Sequence, residues 1–126
     1  MPKQEIRTSE SASPSGAYSQ AIRAGDFVFV AGQGPLDPET GKVVGETIEE
    51  QTERTLENVR AILAEAGATF ADVVKSTVHL SDLSHFPGYN EVYARYFPDP
   101  KPARTTVGSS LLGILVEIDV IAYVGE

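Results

Sequence analysis

The chain has 126 residues and a formal net charge of −8 at pH 7, because 18 Asp and Glu outnumber 10 Lys and Arg. This length is typical of one domain, and we expect residues 1–126 to form a single domain around one core. The acidic balance argues against a nucleic-acid-binding protein, since phosphate binding depends on clustered Lys and Arg. The chain contains no cysteine, which excludes disulfides, a thiolate nucleophile and cysteine-ligated metal sites.

The apolar stretches do not predict export or membrane insertion. The start, MPKQEIRTSE, is too polar for a secretory signal. The longest apolar stretch, LLGILVEIDVIAYV, carries two acids and is shorter than the roughly 20 residues that span a bilayer. We therefore expect a cytoplasmic protein with no membrane partner.

Turn residues divide the first third of the chain. Residues 9–17, SESASPSGA, are small and polar and predict a loop. Two short apolar runs flank Ala24-Gly25-Asp26, which predicts a β-hairpin with residues 27–31 as its second strand. The stretch DPETGKVVG then predicts a turn before the next element.

Residues 47–66 carry the clearest helical pattern. Thr47 and Glu50 fit a capping box, and Gly67 is suited to the C′ position. Apolar residues recur at helical spacing along one face, at Ile48, Leu56, Val59, Ile62, Leu63 and Ala66.

The second half alternates strands and a helix. In VVKSTVHLSD, the period of two predicts a strand with one buried side formed by Val74, Ser76, Val78 and Leu80. Ser84 is a candidate cap for a helix over 85–97, with Pro98 and Pro100 beyond its end. Its apolar and aromatic residues are Phe86, Tyr89, Val92, Tyr93, Tyr96 and Phe97.

Two runs rich in β-branched residues, RTTVGSS and LVEIDVIAYV, predict the last two strands. The resulting order is β, β, turn, α, β, α, β, β. This order predicts an α+β fold in which two helices cover one face of a mixed sheet.

Arg104, in KPARTTVG, is a candidate ligand-binding residue. A surface ion pair with one of the many acids is one interpretation. The other is a fixed guanidinium fork that binds a carboxylate through two hydrogen bonds. The sequence alone leaves both open.

Three further residues also have two interpretations each. Glu117, in LVEIDVIAY, belongs either to a solvated strand face or to a site where burial raises its pKa and it moves protons. Tyr18, in SGAYSQA, is either a loop aromatic that covers the core or a site residue. Asn90 interrupts the aromatic side of the second helix, where a cap or backbone contact is the simpler interpretation.

Common cofactor and metal motifs are not present in the sequence. Gly32-Gln33-Gly34 lacks the third glycine of a dinucleotide fingerprint, and no P-loop, HExxH or EF-hand pattern occurs. His79 and His85 have no partners at ligand spacing, so we expect structural or surface roles for both and no metal site.

Six stretches of the chain form a specific ordered set: SGAYSQAI, FVFVAGQGPLDPETGKVVG, EEQTERTLENVRAILAEAGATFADVVKSTVHLSDL, FPGYNEVYARYF, KPARTTVG and VEIDVIAYV. Together they resemble the reactive-intermediate deaminase family, known as Rid or RidA/YjgF, over nearly the whole chain. The resemblance implies a chorismate-mutase-like α+β fold and a homotrimer with sites in clefts between subunits. It also implies a hydrolase that needs no cofactor and converts 2-imino acids and their enamine tautomers to 2-keto acids and ammonia.

The resemblance also assigns site residues. The family's carboxylate-binding arginine falls on Arg104, its site tyrosine on Tyr18 and its site glutamate on Glu117. Gly32 matches a glycine whose backbone lines the pocket, and Asn90 matches a helix asparagine near the site. Thr106, close to the arginine on the same strand, is a further candidate for contact with the substrate.

The chain departs from the family pattern at four places. Ala17 replaces a proline, Ala31 a serine, and Thr106 a common cysteine, and the link at 111–113 is about two residues shorter. The expected substrate is a short imino acid of the 2-iminobutanoate or 2-iminopropanoate type. The alternatives are a deaminase for a larger, aminomuconate-like enamine, a ribonuclease or translation inhibitor, and a non-catalytic binder of small carboxylates.

Overall fold

The computed structural model describes residues 2–125, in which six strands form one mixed sheet. The strands are β1 (Gln4–Ile6), β2 (Ala21–Ala24), β3 (Phe27–Gln33), β4 (Val73–Leu80), β5 (Ala103–Gly108) and β6 (Val116–Tyr123). Their order across the sheet is β1-β2-β3-β6-β4-β5. Strands β4 and β5 pair in parallel, and the other four neighbouring pairs are antiparallel.

Two helices, α1 (Ile48–Glu65) and α2 (Phe86–Tyr96), pack against one face of this sheet. The core between the layers includes Val28, Leu56, Val78, Val92 and Ile118, each at most 1% exposed. The predicted α+β architecture is therefore confirmed. No helix among the described residues combines the length and apolar character that crossing a bilayer requires.

The predicted ends of α1 are confirmed in detail. The Thr47 side chain accepts a hydrogen bond from the Glu50 amide, and the Glu50 carboxylate accepts one from the Thr47 amide. Gly67, just past the helix, has φ +77°, a conformation that favours glycine.

The predicted burial at the start of β4 is wrong at Val74. Val74 is 45% exposed, whereas Val73 is 5% exposed. The register between β4 and β6 shifts between Val73 and Lys75, so the alternation is offset by one residue there. From Ser76 onward the predicted buried side is correct.

The predicted helix over 85–97 agrees with α2 within one residue at each end, but the predicted cap at Ser84 is wrong. The Asp82 carboxylate instead accepts from the Ser84 amide at 2.8 Å and caps a 3₁₀ turn over Leu83–His85. The α-helix follows at Phe86, with Pro87 in its first turn, where a missing amide hydrogen costs little. Phe86 itself is 36% exposed, and Tyr89 and Val92 are the residues buried below it.

Other strand limits differ modestly from the predicted ones. Strand β1, which has three residues and lies at the sheet edge, was not predicted from the sequence. Strand β3 continues two residues beyond the predicted end, to Gln33. In β6 the predicted alternation is confirmed, with Val116, Ile118 and Val120 buried against the helices.

Asn58 of α1 fixes the segment that follows β3. Its side-chain amide is fully buried and donates to the carbonyls of Gly34 at 3.0 Å and Leu36 at 2.9 Å. We expect Asn58→Ala to lower the free energy of unfolding by about 1–3 kcal/mol, because it leaves two carbonyls without a donor. Urea denaturation measures this loss. The exposed Glu53→Ala on the same helix should change stability by about 0.5 kcal/mol or less.

Candidate functional site

Glu117 lies on the face of the sheet that the helices leave open. Its neighbours Val116 and Ile118 point into the core, so the period of two turns Glu117 the other way. The carboxylate lies directly above Gly32 of β3. A Cβ added at Gly32 would stand 2.5 Å from Glu117 Oε2, so only a glycine leaves room for the carboxylate there.

A cavity of about 680 Å³ opens above this pair, and we call it the Glu117 cavity. Tyr18 also lines it, so three of the predicted site residues lie together. The Tyr18 ring is 47% exposed, and its hydroxyl accepts from the Ser15 amide at 3.2 Å. The remaining wall is largely apolar and includes Leu36, Val43, Leu111, Leu112 and Ile114.

His79 also lines the Glu117 cavity. It lies directly opposite Glu117 in the β4–β6 pair, and its Nδ1 is 2.7 Å from Ser109 Oγ. His79 was predicted to have a structural or surface role because it has no partner at metal-ligand spacing, and that spacing says nothing about a cavity. The alternation along β4 does place His79 on the side opposite to Val78 and Leu80, which is the side that faces the cavity.

Asp119 follows Glu117 on the same face. Burial raises the pKa of the Asp119 carboxyl, and the nearby His79 and Lys75 side chains act against that change.

Arg104 lies on the opposite face of the sheet, against helix α2. In the parallel β4–β5 pair it is level with Ser76, which is fully buried under the helices. Its Nη1 donates to Asn90 Oδ1 at 2.7 Å. Within residues 2–125, Arg104 forms no ion pair, and Asn90 accepts from this arginine instead of capping the helix.

Three aromatic rings surround the Arg104 guanidinium. Its central carbon lies 4.8 Å from the ring centre of Tyr93, 5.4 Å from Tyr89 and 5.5 Å from Phe86. Such cation–π contacts favour the charged group where water is partly excluded. The Asn90 bond and the rings together hold the fork in one place, and we call this group the Arg104 cluster.

Thr106 is part of the Arg104 cluster. Its Oγ1 is 2.9 Å from the hydroxyl of Tyr89, a residue with no exposed surface. Burial raises the pKa of the Tyr89 phenol, although Thr106 and Arg104 act in the other direction. Tyr89 thereby holds the Thr106 hydroxyl on the same face as Arg104.

The predicted site residues thus form two groups that do not meet within one chain. Tyr18, Gly32 and Glu117 line the cavity on the open face. Arg104, Asn90 and Thr106 lie against α2 on the other face and do not line that cavity. One chain therefore presents the Glu117 carboxylate and the Arg104 guanidinium at separate places.

Comparison with known proteins establishes the family. The model of the family described as "Endoribonuclease L-PSP" matches residues 8–124. A RutC family protein of Pyrococcus abyssi is 54% identical over 125 residues, covering 98% of each chain. The chloroplastic Reactive Intermediate Deaminase A of Arabidopsis thaliana is 46% identical over 122 residues, which cover 95% of this chain and 65% of the plant protein.

A solved structure agrees with this relation. The crystal structure of Escherichia coli TdcF with bound serine matches with a TM-score of 0.89 and 34% identity, covering 95% of this chain and 98% of that one. The fold and the sequence together define a Rid-type α+β protein. The chain belongs to the RutC/Rid family, also described as the YjgF/L-PSP family, and it is close to reactive intermediate deaminases.

Proposed function

We propose that the protein hydrolyses short 2-imino acids and their enamine tautomers to 2-keto acids and ammonia. The observation that carries this proposal is the Arg104 fork, which is held by Asn90 without a carboxylate partner among the described residues of an acidic chain. A guanidinium that is held in position and has no carboxylate partner is suited to bind a substrate carboxylate. The name of the plant relative and the serine bound to TdcF support a small amino-acid-like substrate.

The proposed chemistry assigns one role to each group. Arg104 binds the substrate carboxylate and so orients the C=N carbon. Glu117 takes a proton from water as the water oxygen bonds to that carbon. The nitrogen receives two protons, one returned from Glu117 and one from the carbinolamine hydroxyl, and the C–N bond breaks as the second arrives, which leaves the keto acid and ammonia. Tyr18, Thr106 and the backbone at Gly32 position the substrate, and the reaction as proposed uses water without a metal or organic cofactor.

We further propose that the complete site forms between subunits of a cytoplasmic homotrimer. The two groups of site residues support this, because they lie on opposite faces of one sheet and one chain cannot present both to a small molecule. A neighbouring copy that lays its Arg104 cluster against the Glu117 cavity would join them. Large aromatic side chains on the open face, Phe27, Phe29 and Tyr123, are 39–44% exposed and offer apolar area for such a contact.

A trapping assay tests the function. An amino-acid oxidase with catalase generates the imine, and semicarbazide traps it. The purified protein should lower the rate of semicarbazone formation in proportion to its concentration. Unchanged trapping at every protein concentration would contradict the proposal.

A larger enamine is the second candidate substrate. The cavity volume of about 680 Å³ and its apolar wall favour it, as does Leu112, which is 98% exposed beside the cavity. Turnover of 2-iminopropanoate and of an aminomuconate-like enamine should be compared under the same conditions. A higher kcat/KM for the larger compound would favour this candidate.

Gly32→Ala tests the close approach of Glu117 to β3. The added methyl group collides with the end of a flexible side chain, so the fold is expected to tolerate it while the carboxylate moves. We expect kcat to fall by about 10- to 100-fold and Tm to stay the same or rise slightly. Gly108→Ala is the matched control, because its Cβ would lie 3.5 Å from the nearest atom, an ordinary contact. Equal effects of the two changes on kcat would argue against the special role of Gly32.

A further inference from the structure

His79 is fixed in the Glu117 cavity by its neighbours. Strand β4 turns it to the open face, since Val78 and Leu80 on either side are fully buried. The contact of Nδ1 with Ser109 Oγ at 2.7 Å occupies one ring nitrogen. The other nitrogen, Nε2, has no hydrogen bond to any described residue, and the ring lines the cavity.

His79 and Glu117 are neighbours that do not pair with each other. They are direct partners across the β4–β6 ladder, where facing Cβ atoms are about 4.5–5.5 Å apart. The Glu117 carboxylate is directed away from His79 and lies above Gly32 on β3. No ion pair joins the imidazole to Glu117 within residues 2–125. An acid and a base that share a cavity without neutralising each other are suited to two separate proton transfers.

We infer that His79 is a second catalytic residue, which protonates the departing nitrogen while Glu117 activates the water. This inference rests on the proposed function. Glu117 accepts one proton from water as the C–O bond forms, and the imidazolium gives its proton to the amine nitrogen. Glu117 then returns its proton to the amine nitrogen, which makes it an ammonium leaving group. The C–N bond breaks as the hydroxyl proton of the carbinolamine passes to the imidazole, so ammonia leaves and both residues are restored.

The charged groups around His79 determine how its protonation responds to pH. Glu117 and Asp119 face it from β6, and Lys75 lies four residues away on its own strand. Strand β5 contributes Val107 at the same level, which does not titrate. A change in the charge of any of these three side chains would change the pH dependence that the inference predicts.

The pH profile of His79→Gln tests the inference. Glutamine keeps a polar contact for Ser109 but cannot transfer protons. We expect kcat to fall by about 100-fold. We also expect the profile to lose the decline in kcat that the wild type shows as the pH rises through the imidazole pKa. KM should change little, because the carboxylate is bound elsewhere. His85→Gln is the matched control, since the chain has only these two histidines and His85 lies outside the cavity.

The outcomes separate the inference from the function on which it rests. A wild-type protein that does not lower trapping overturns the proposed function and the inference with it. An active wild type whose His79→Gln variant keeps the same kcat and pH profile overturns the inference alone.

A binding measurement is independent of turnover and of any defect in the variant. NMR of the two imidazoles during titration with 2-oxobutanoate should shift the His79 signals and leave the His85 signals in place. A saturating titration that moves neither signal would also overturn the inference.

Discussion

Replacing Arg104 with alanine is expected to lower kcat/KM for a 2-imino acid by about 100-fold or more. The change removes the only bidentate partner proposed for the substrate carboxylate, so the C=N carbon is no longer held against the water. It also leaves Asn90 Oδ1 without the donor it has at 2.7 Å. The trapping assay with increasing substrate measures KM and kcat separately, and the larger effect should be on KM.

Two further variants separate the contribution of bidentate hydrogen bonding from that of the positive charge alone. Arg104→Lys keeps the charge but cannot form two parallel hydrogen bonds, so its activity should lie between those of wild type and alanine. Arg95→Ala removes an exposed arginine from α2, where it only approaches Glu91 at 3.9 Å, and activity should not change. An Arg104→Ala protein that retains wild-type kcat/KM would contradict the carboxylate-binding role.

The sequence predicted elements well where one local pattern was long enough. Helix α1 repeats its apolar face over five turns and has a capping box, so both its pattern and its ends are encoded locally. Strand β1 has three residues, two of them exposed, and it forms because β2 offers a free edge. Such a strand depends on its partner, which a local pattern does not contain. The bulge at Val73 also depends on pairing with β6, so the alternation of apolar residues along β4 could not predict it.

The candidate site was predicted as a list of residues but not as an arrangement. The alternation along β5 shows that Arg104 and Thr106 share a face, yet only pairing with β4 shows that this face meets the helices. The same holds for His79, which becomes a candidate only when the register places it opposite Glu117. Residues far apart in sequence thus acquire a common function through strand register, which is a tertiary property.

Glu117→Gln is the second change with a large expected effect. Glutamine fills nearly the same space over Gly32 but cannot accept a proton from water. We expect kcat to fall by about 100-fold or more with little change in KM. Asp119→Asn is the matched control, because it makes the same chemical change one alternation along the same face of β6. If the Asp119 variant loses as much activity as the Glu117 variant, the special position of Glu117 is not supported.

Mixing the two defective chains tests the assembly as well as the roles. If each site takes Arg104 from one subunit and Glu117 from a neighbour, a mixed oligomer of Arg104→Ala and Glu117→Gln chains contains some clefts with both native residues. In a trimer that contains both variants, one of the three clefts has both native residues, so a preparation of mixed trimers should recover about a third of the wild-type activity. The variants should be co-expressed with different tags and purified through both, with the assembled mass measured by sedimentation. A mixed oligomer as inactive as its separate components would mean that both residues act within one chain, which the opposite faces of the sheet argue against.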